Sequence, residues 1–320
     1  MILLLRKIKH TLFHNGQFRR YLLYALGEMV LVVIGILIAL QINNWNAEKQ
    51  KETSLQSYLG SIARNISNDL AEVESIRSKR QTAIGLAGQA DDILLNRTSF
   101  GVEEVTFLSH AFLEASELLH FNANMSGNEA LKSSGVLDRM QGRDIENLLY
   151  DYYDTVSRIS QEEENHNEFL RQHHLQVLAD WPRNLAEWEF RDPSILTPEK
   201  MQELQPAFRA LLTNPNLTSL YSRAEKGAPL LLAYDRLDRL GKAFIRTIEN
   251  GSLEFDETTL NILESIYDPE KGSGYPDVVT DGQVYWANYA MTQADSLLMG
   301  TIGSARDAAS RNNSLRLKPE

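Results

Sequence analysis

The sequence predicts an all-α protein: an N-terminal transmembrane helix that continues into an antiparallel bundle of about four long helices with short accessory helices. Three observations predict it. An unbroken apolar run occupies Met29–Leu40. Apolar residues then recur at three- and four-residue steps over long stretches, the helical period. Runs that alternate apolar and polar, as strands do, are nearly absent.

The first element runs from Tyr21 to Ile42. At about 1.5 Å per residue it is long enough for a hydrocarbon core of roughly 30 Å. A buried globular helix would need a polar face, which Met29–Leu40 lacks. A cleaved signal peptide would need small residues in an A-x-A pattern, which Ala39-Leu40-Gln41 does not offer. The run therefore reads as an uncleaved span.

Charge sets its expected orientation. Residues 1–24 carry Arg6, Lys7, Lys9, Arg19 and Arg20 and no acid. After the span, Glu48, Lys49, Lys51 and Glu52 cancel. Positive charge stays on the cytoplasmic side, so the N-terminus is expected inside and the remainder outside. Residues 1–20 read as a short basic amphipathic piece on the anionic inner leaflet, contacting it through those five cations. Tyr21, Tyr24 and Trp45 bracket the span as interfacial aromatics do.

Glu28 stands about a third of the way into this helix, where a lone charge is costly. Glu28 and Gly35 are seven residues apart, and Gly35-x-x-x-Ala39 is a small-x-x-x-small step. With Gly27 they form a small, polar seam suited to helix–helix contact in the bilayer, with a second copy or another membrane protein.

The stretch "YLLYALGEMVLVVIGILIALQINNWNAEK", with its basic leader, resembles the N-terminus of a bacterial membrane-protein family catalogued only as a domain of unknown function. The resemblance is carried by residues 18–50, with an echo in "NEALKSSGVLDRM...DIENLLYDYYDTV" at 128–156. It implies a Gram-negative inner-membrane protein with a helical periplasmic region, and it brings no catalytic residues.

Beyond the span, Leu55, Leu59, Ile62, Ile66, Val73, Ile76, Ile84, Ala87 and Leu94 mark one long amphipathic helix that Gly85 and Gly88 would loosen. A helix is expected over 102–121, then a turn-rich stretch holding a short helix. A second long helix is expected over 144–181, with the stripe Ile145, Leu148, Tyr152, Val156, Ile159, Leu170 and Val177. Thr197-Pro198-Glu199 opens a shorter one with threonine as cap. Residues 216–250 follow, kinked or split at Pro229, with Gly251 as stop. Short helices are expected at 256–267 and 284–304, with a brief strand at 278–279 between them. The domains implied are 1–20 cytoplasmic, 21–44 membrane, 45–304 periplasmic and 305–320 a flexible tail.

Composition narrows function. The chain has 320 residues, 43% hydrophobic and 23% charged, with net charge −11 and no cysteine. Disulfides, thiolate metal sites and a cysteine nucleophile are excluded. Removing the five N-terminal cations leaves −16 on residues 25–320, which argues against binding nucleic acid. No phosphate loop, serine elbow or zinc-protease helix is present.

Two Glu-x-x-His pairs remain, a spacing that di-metal helical bundles use. Glu117/His120 misses its apolar stripe and is expected in solvent. Glu163/His166, with His173 beyond, falls on the core stripe. The plainer reading is that the stripe rotates there, or the bundle ends, and these groups are wet. The sharper one is a buried Glu–His layer that titrates near neutral pH or grips a small ligand. Trp181 and Trp188 in "WPRNLAEWEF" are expected to cap the bundle. The function expected is sensing, scaffolding or partner binding without catalysis or cofactor. The alternative is a periplasmic metal-dependent enzyme using Glu163, His166 and His173.

Overall fold

The structure is a computed structural model, and it describes residues 17–96, 99–180, 192, 195–267 and 300–308. Every regular element among them is helical, as the periodicity predicts. The helices are α1 (Gln17–Asn96), α2 (Val102–Ala115), α3 (Ser126–Ser133), α4 (Asp144–Ala179), α5 (Pro198–Leu212), α6 (Pro215–Glu225), α7 (Ala228–Glu249) and α8 (Glu257–Tyr267). A 3-10 turn at Leu137–Met140 precedes α4, and residues 300–308 are helical. The chain divides into two compact units, Met1–Ser57 and Tyr58–Glu320.

In the first unit, the apolar run of α1 is left exposed among the described residues. Leu23, Met29, Leu31 and Leu37 are all more than half exposed. Tyr24 and Trp45 are exposed at its two ends, and the Lys49 ammonium lies 5.6 Å from the centre of the Trp45 ring. By length and composition this helix can cross a membrane. α1 continues through Gly85 and Gly88 without a break.

In the second unit, α4 packs on α7 and α6, α8 on α7, and α2 and α5 on α6. The stripe of α1 is buried at Leu59, Ile62, Ile66, Val73, Ile76 and Ala87. One core cluster joins Ala87 and Ala90 of α1 to Phe112 of α2, Leu170 of α4, Phe208 of α5 and Tyr221 of α6. Gly127 marks a close approach of α3 to α1. A Cβ built there would lie 2.9 Å from Ile62 Cγ1 and 3.3 Å from Ile62 Cα.

Local chemistry sets the helix ends. Thr197 caps α5 by accepting from the Lys200 amide at 3.3 Å, with Pro198 in the first turn. The expected 216–250 helix is split: α6 ends at Glu225, and Pro229 sits in the first turn of α7, where its missing N–H costs nothing. Gly251, at φ +64°, takes the left-handed conformation that stops α7. Asp256 caps α8 by accepting from the Thr259 amide at 2.7 Å and pairs with Arg246 at 2.9 Å. Burial works against its charge, yet these two partners win and hold its pKa at about 2.

Two expectations change. The helix foreseen over 102–121 ends at Ala115, and residues 116–125 run as an irregular strap. Helix also continues past residue 304 to 308, where Arg306 binds Glu264 at 2.8 Å and Asn261 at 3.0 Å. The strand foreseen at 278–279, most of the helix at 284–304, and Trp181 and Trp188 lie outside the described residues.

Candidate functional site

The strap explains why α2 stops. Its backbone bonds sideways to side chains instead of along a helix. The Leu119 carbonyl accepts from Arg80 Nη2 at 3.1 Å and from Asn167 Nδ2 at 2.8 Å. The Phe121 amide donates to Glu163 Oε2 at 2.8 Å. The Asn124 amide donates to Asp69 Oδ1 at 3.0 Å. The side chains of Leu119 and Phe121 are buried beneath it. Since buried backbone groups must be paired, these polar side chains replace the lost helical ladder.

Glu163 is the centre of this network and is fully buried. Its Oε1 accepts from the Tyr234 hydroxyl and lies 3.9 Å from Arg80 Nη2. Its Oε2 takes the Phe121 amide and lies 3.4 Å from His120 Nδ1. Arg80 Nε donates to Tyr234 at 2.9 Å, closing a triangle of α1, α4 and α7. A second buried carboxylate, Asp151 on α4, pairs with Arg236 of α7 at 2.7 Å. Burial raises the pKa of Asp69, the third, against the lowering effect of the Asn124 amide and the Tyr152 hydroxyl.

The expected placement of the sequence candidates is corrected in several respects. Glu163 and His166 are not wet: the stripe runs through them, and His166 is 5% exposed. Nor does His166 titrate near neutral pH. Burial, then the positive charges of Arg80 and Arg223, push it down to about 3. It borders a cavity of about 10 Å³, shared with Arg80, Leu119 and Leu170, which is room for one water molecule. His173 does not join the layer. Its Nδ1 sits 3.0 Å from the Phe169 carbonyl one turn back, and its ring stacks on Phe169 at 3.9 Å. Among the described residues, no three His, Asp or Glu side chains are arranged to hold a metal ion. Glu117 and His120 lie beyond the end of α2, so their i, i+3 spacing has no helix to act on. Both are part-exposed as expected; Glu117 pairs with Lys79 and His120 reaches Glu163.

In the apolar run, Gly27, Glu28, Gly35 and Ala39 all lie on the exposed surface of α1, as do Tyr24, Trp45 and Arg20. The side chains of Arg19 and Tyr21, and residues Arg6, Lys7 and Lys9, lie outside the described set.

Asp69 and Arg80 were missed as site residues, although the sequence carried a signal. The buried stripe of α1 steps through Ile62, Ile66, Asp69, Val73, Ile76, Arg80, Ala83 and Ala87. A charge on an apolar stripe needs a buried partner. No signal of that kind pointed to the partners themselves, Tyr234 and the strap backbone.

Beside the network, and sharing His120 with it, α4 and the strap bound an open groove of about 740 Å³. Its helical wall presents Tyr153, Ser157, Ser160, Gln161, Glu164 and Asn165. Tyr153 stands edge-on to Tyr152 at 5.2 Å, and burial raises the pKa of its phenol.

Residues 28–157 match a family described as a family of unknown function, DUF6090. The matched stretch starts at Glu28 in the apolar run and ends at Ser157 in the groove wall, so it includes Asp69, Arg80 and the whole strap. No curated protein matches the chain. No solved structure matches it either.

Proposed function

We propose that the chain is a single-pass, inner-membrane protein without catalytic activity, whose helical body acts in the periplasm as a sensor-like, scaffolding or partner-binding domain. The apolar part of α1 is its anchor and the bilayer its first partner. The observation that carries this reading is the bare apolar surface of Leu22–Ile42. Covering a large aliphatic side chain is worth about 1.5–3 kcal/mol, so a run of such residues left in water would be strongly unfavourable. The excess of cations before the span supports an N-terminus in the cytoplasm. The saturation of Glu163 by other groups of the chain supports a structural role for the buried layer over a catalytic one. Glu28, Gly35 and Ala39 share a face and are the contact through which α1 meets a second copy or another membrane helix.

The absence of cysteine makes the topology directly testable. Single cysteines at Asn15 and Lys226 are treated with a membrane-impermeant maleimide on spheroplasts. Lys226→Cys is expected to label at once and Asn15→Cys only after lysis. The reverse pattern, or recovery of the chain in the soluble fraction, overturns the anchor and its orientation. Gly35→Cys in native membranes is expected to cross-link to itself or to one reproducible partner; no adduct removes the helix-contact reading.

A further inference from the structure

We propose that the groove between α4 and the strap binds an uncharged saccharide carrying hydroxyl and amide groups, of the N-acetylated amino-sugar kind. This rests on the reading of the helical body as a binding domain and names the ligand class.

The volume of about 740 Å³ lies within the range of about 300–1,000 Å³ usual for small-ligand sites. One wall is a continuous helical face, because Tyr153, Ser157, Ser160, Gln161 and Glu164 follow one another at short helical steps. His120 and Met125 of the strap side form the other wall.

The chemistry of the lining selects among ligands. Serine hydroxyls and the carboxamides of Gln161 and Asn165 each both donate and accept. They are complementary to a ligand whose own groups do the same, which hydroxyls and acetamides are. Among the described residues no lysine or arginine lines the groove, and Glu164 does, so a phosphate or carboxylate ligand meets repulsion and no counter-charge. An ammonium ligand would suit Glu164, but it can only donate, so it leaves the N–H and O–H donors of Gln161, Asn165 and the serines unmatched. Met125, Val156 and the Tyr153 ring supply apolar surface for the C–H faces of a sugar. The Tyr153 hydroxyl is buried with no hydrogen-bond partner among the described residues, so it lies beneath the groove wall and the ring is what Tyr153 offers a ligand.

A ligand here touches His120, which also lies 3.4 Å from Glu163. Occupancy therefore bears on the strap, and the Phe121 amide that Glu163 holds reports it.

The test uses the full chain in detergent micelles. Tri-N-acetylchitotriose, maltotriose, spermidine and inorganic phosphate are titrated separately by calorimetry, and amide exchange at Phe121 is followed. The N-acetylated trimer is expected to bind in the micromolar to millimolar range, more tightly than maltotriose, and to slow Phe121 exchange. The double variant Gln161→Ala/Asn165→Ala is expected to lose about tenfold in affinity, the worth of one to two net hydrogen bonds. Both side chains are largely outside the core, so its helical circular dichroism and melting temperature are expected to be unchanged. No binding at ten-millimolar trimer, equal binding by the double variant, or a preference for spermidine or phosphate overturns the proposal. None of these results bears on the labelling pattern that tests the anchor.

Discussion

The amide of Phe121 donates to the carboxylate of Glu163 at 2.8 Å, tying an irregular segment to a helix that begins 23 residues later. The same carboxylate takes the Tyr234 hydroxyl and lies near the Arg80 guanidinium. Removing one member of a buried charged set leaves the others unpaired, which typically costs about 3–5 kcal/mol. Glu163→Gln keeps the shape and deletes the charge. It is expected to destabilise by about 3 kcal/mol in urea unfolding. Because the two groups share partners, Arg80→Met combined with Glu163→Leu is expected to cost clearly less than the sum of the single changes. Strict additivity would show that the two do not act as a unit.

Gly127 is expected to be intolerant of even one methyl group. A Cβ there meets α1 backbone as well as a side chain, and Ile62 Cα cannot rotate away. Gly127→Ala forces α3 outward and is expected to cost about 1–3 kcal/mol, the usual penalty for overpacking. The strap ends next to this helix, so exchange of the Asn124 amide is expected to quicken. The contrasting change is at Gly85, where a Cβ meets nothing within 4 Å. Gly85→Ala is expected to stabilise α1 by about 0.5–1 kcal/mol through helix propensity alone.

His166 makes stability depend on pH. Unfolded, an imidazole titrates near 6.5, whereas in the fold burial and the Arg80 and Arg223 charges hold it to about 3. Between those values the unfolded chain binds a proton that the folded chain refuses. Stability is therefore lost as pH falls through that window, by at most about 1.4 kcal/mol per unit for one site. Asp69 acts in the opposite sense, because its raised pKa lets the folded state take up a proton first. His166→Gln cannot titrate, and its urea midpoint is expected to fall less between pH 7 and 5 than that of the parent chain. Parallel slopes for the two proteins would place the acid sensitivity elsewhere.

Local pattern alone determined the helical class, the apolar run, the α1 and α4 stripes, the Thr197 cap and the Gly251 stop. Each is a property of residues within a turn or two of one another, and hydrophobic period and capping chemistry act at that range. The early end of α2 was not legible, since nothing between Ser116 and Phe121 breaks a helix. The strap forms because Arg80, Asn167, Glu163 and Asp69, drawn from two other helices, offer its backbone better-placed partners than its own next turn. The burial of Glu163 and His166 was decided in the same way. A helical stripe says which residues share a face, but only the packing of α1 and α7 against that face determines whether a carboxylate on it meets water or an arginine and a tyrosine.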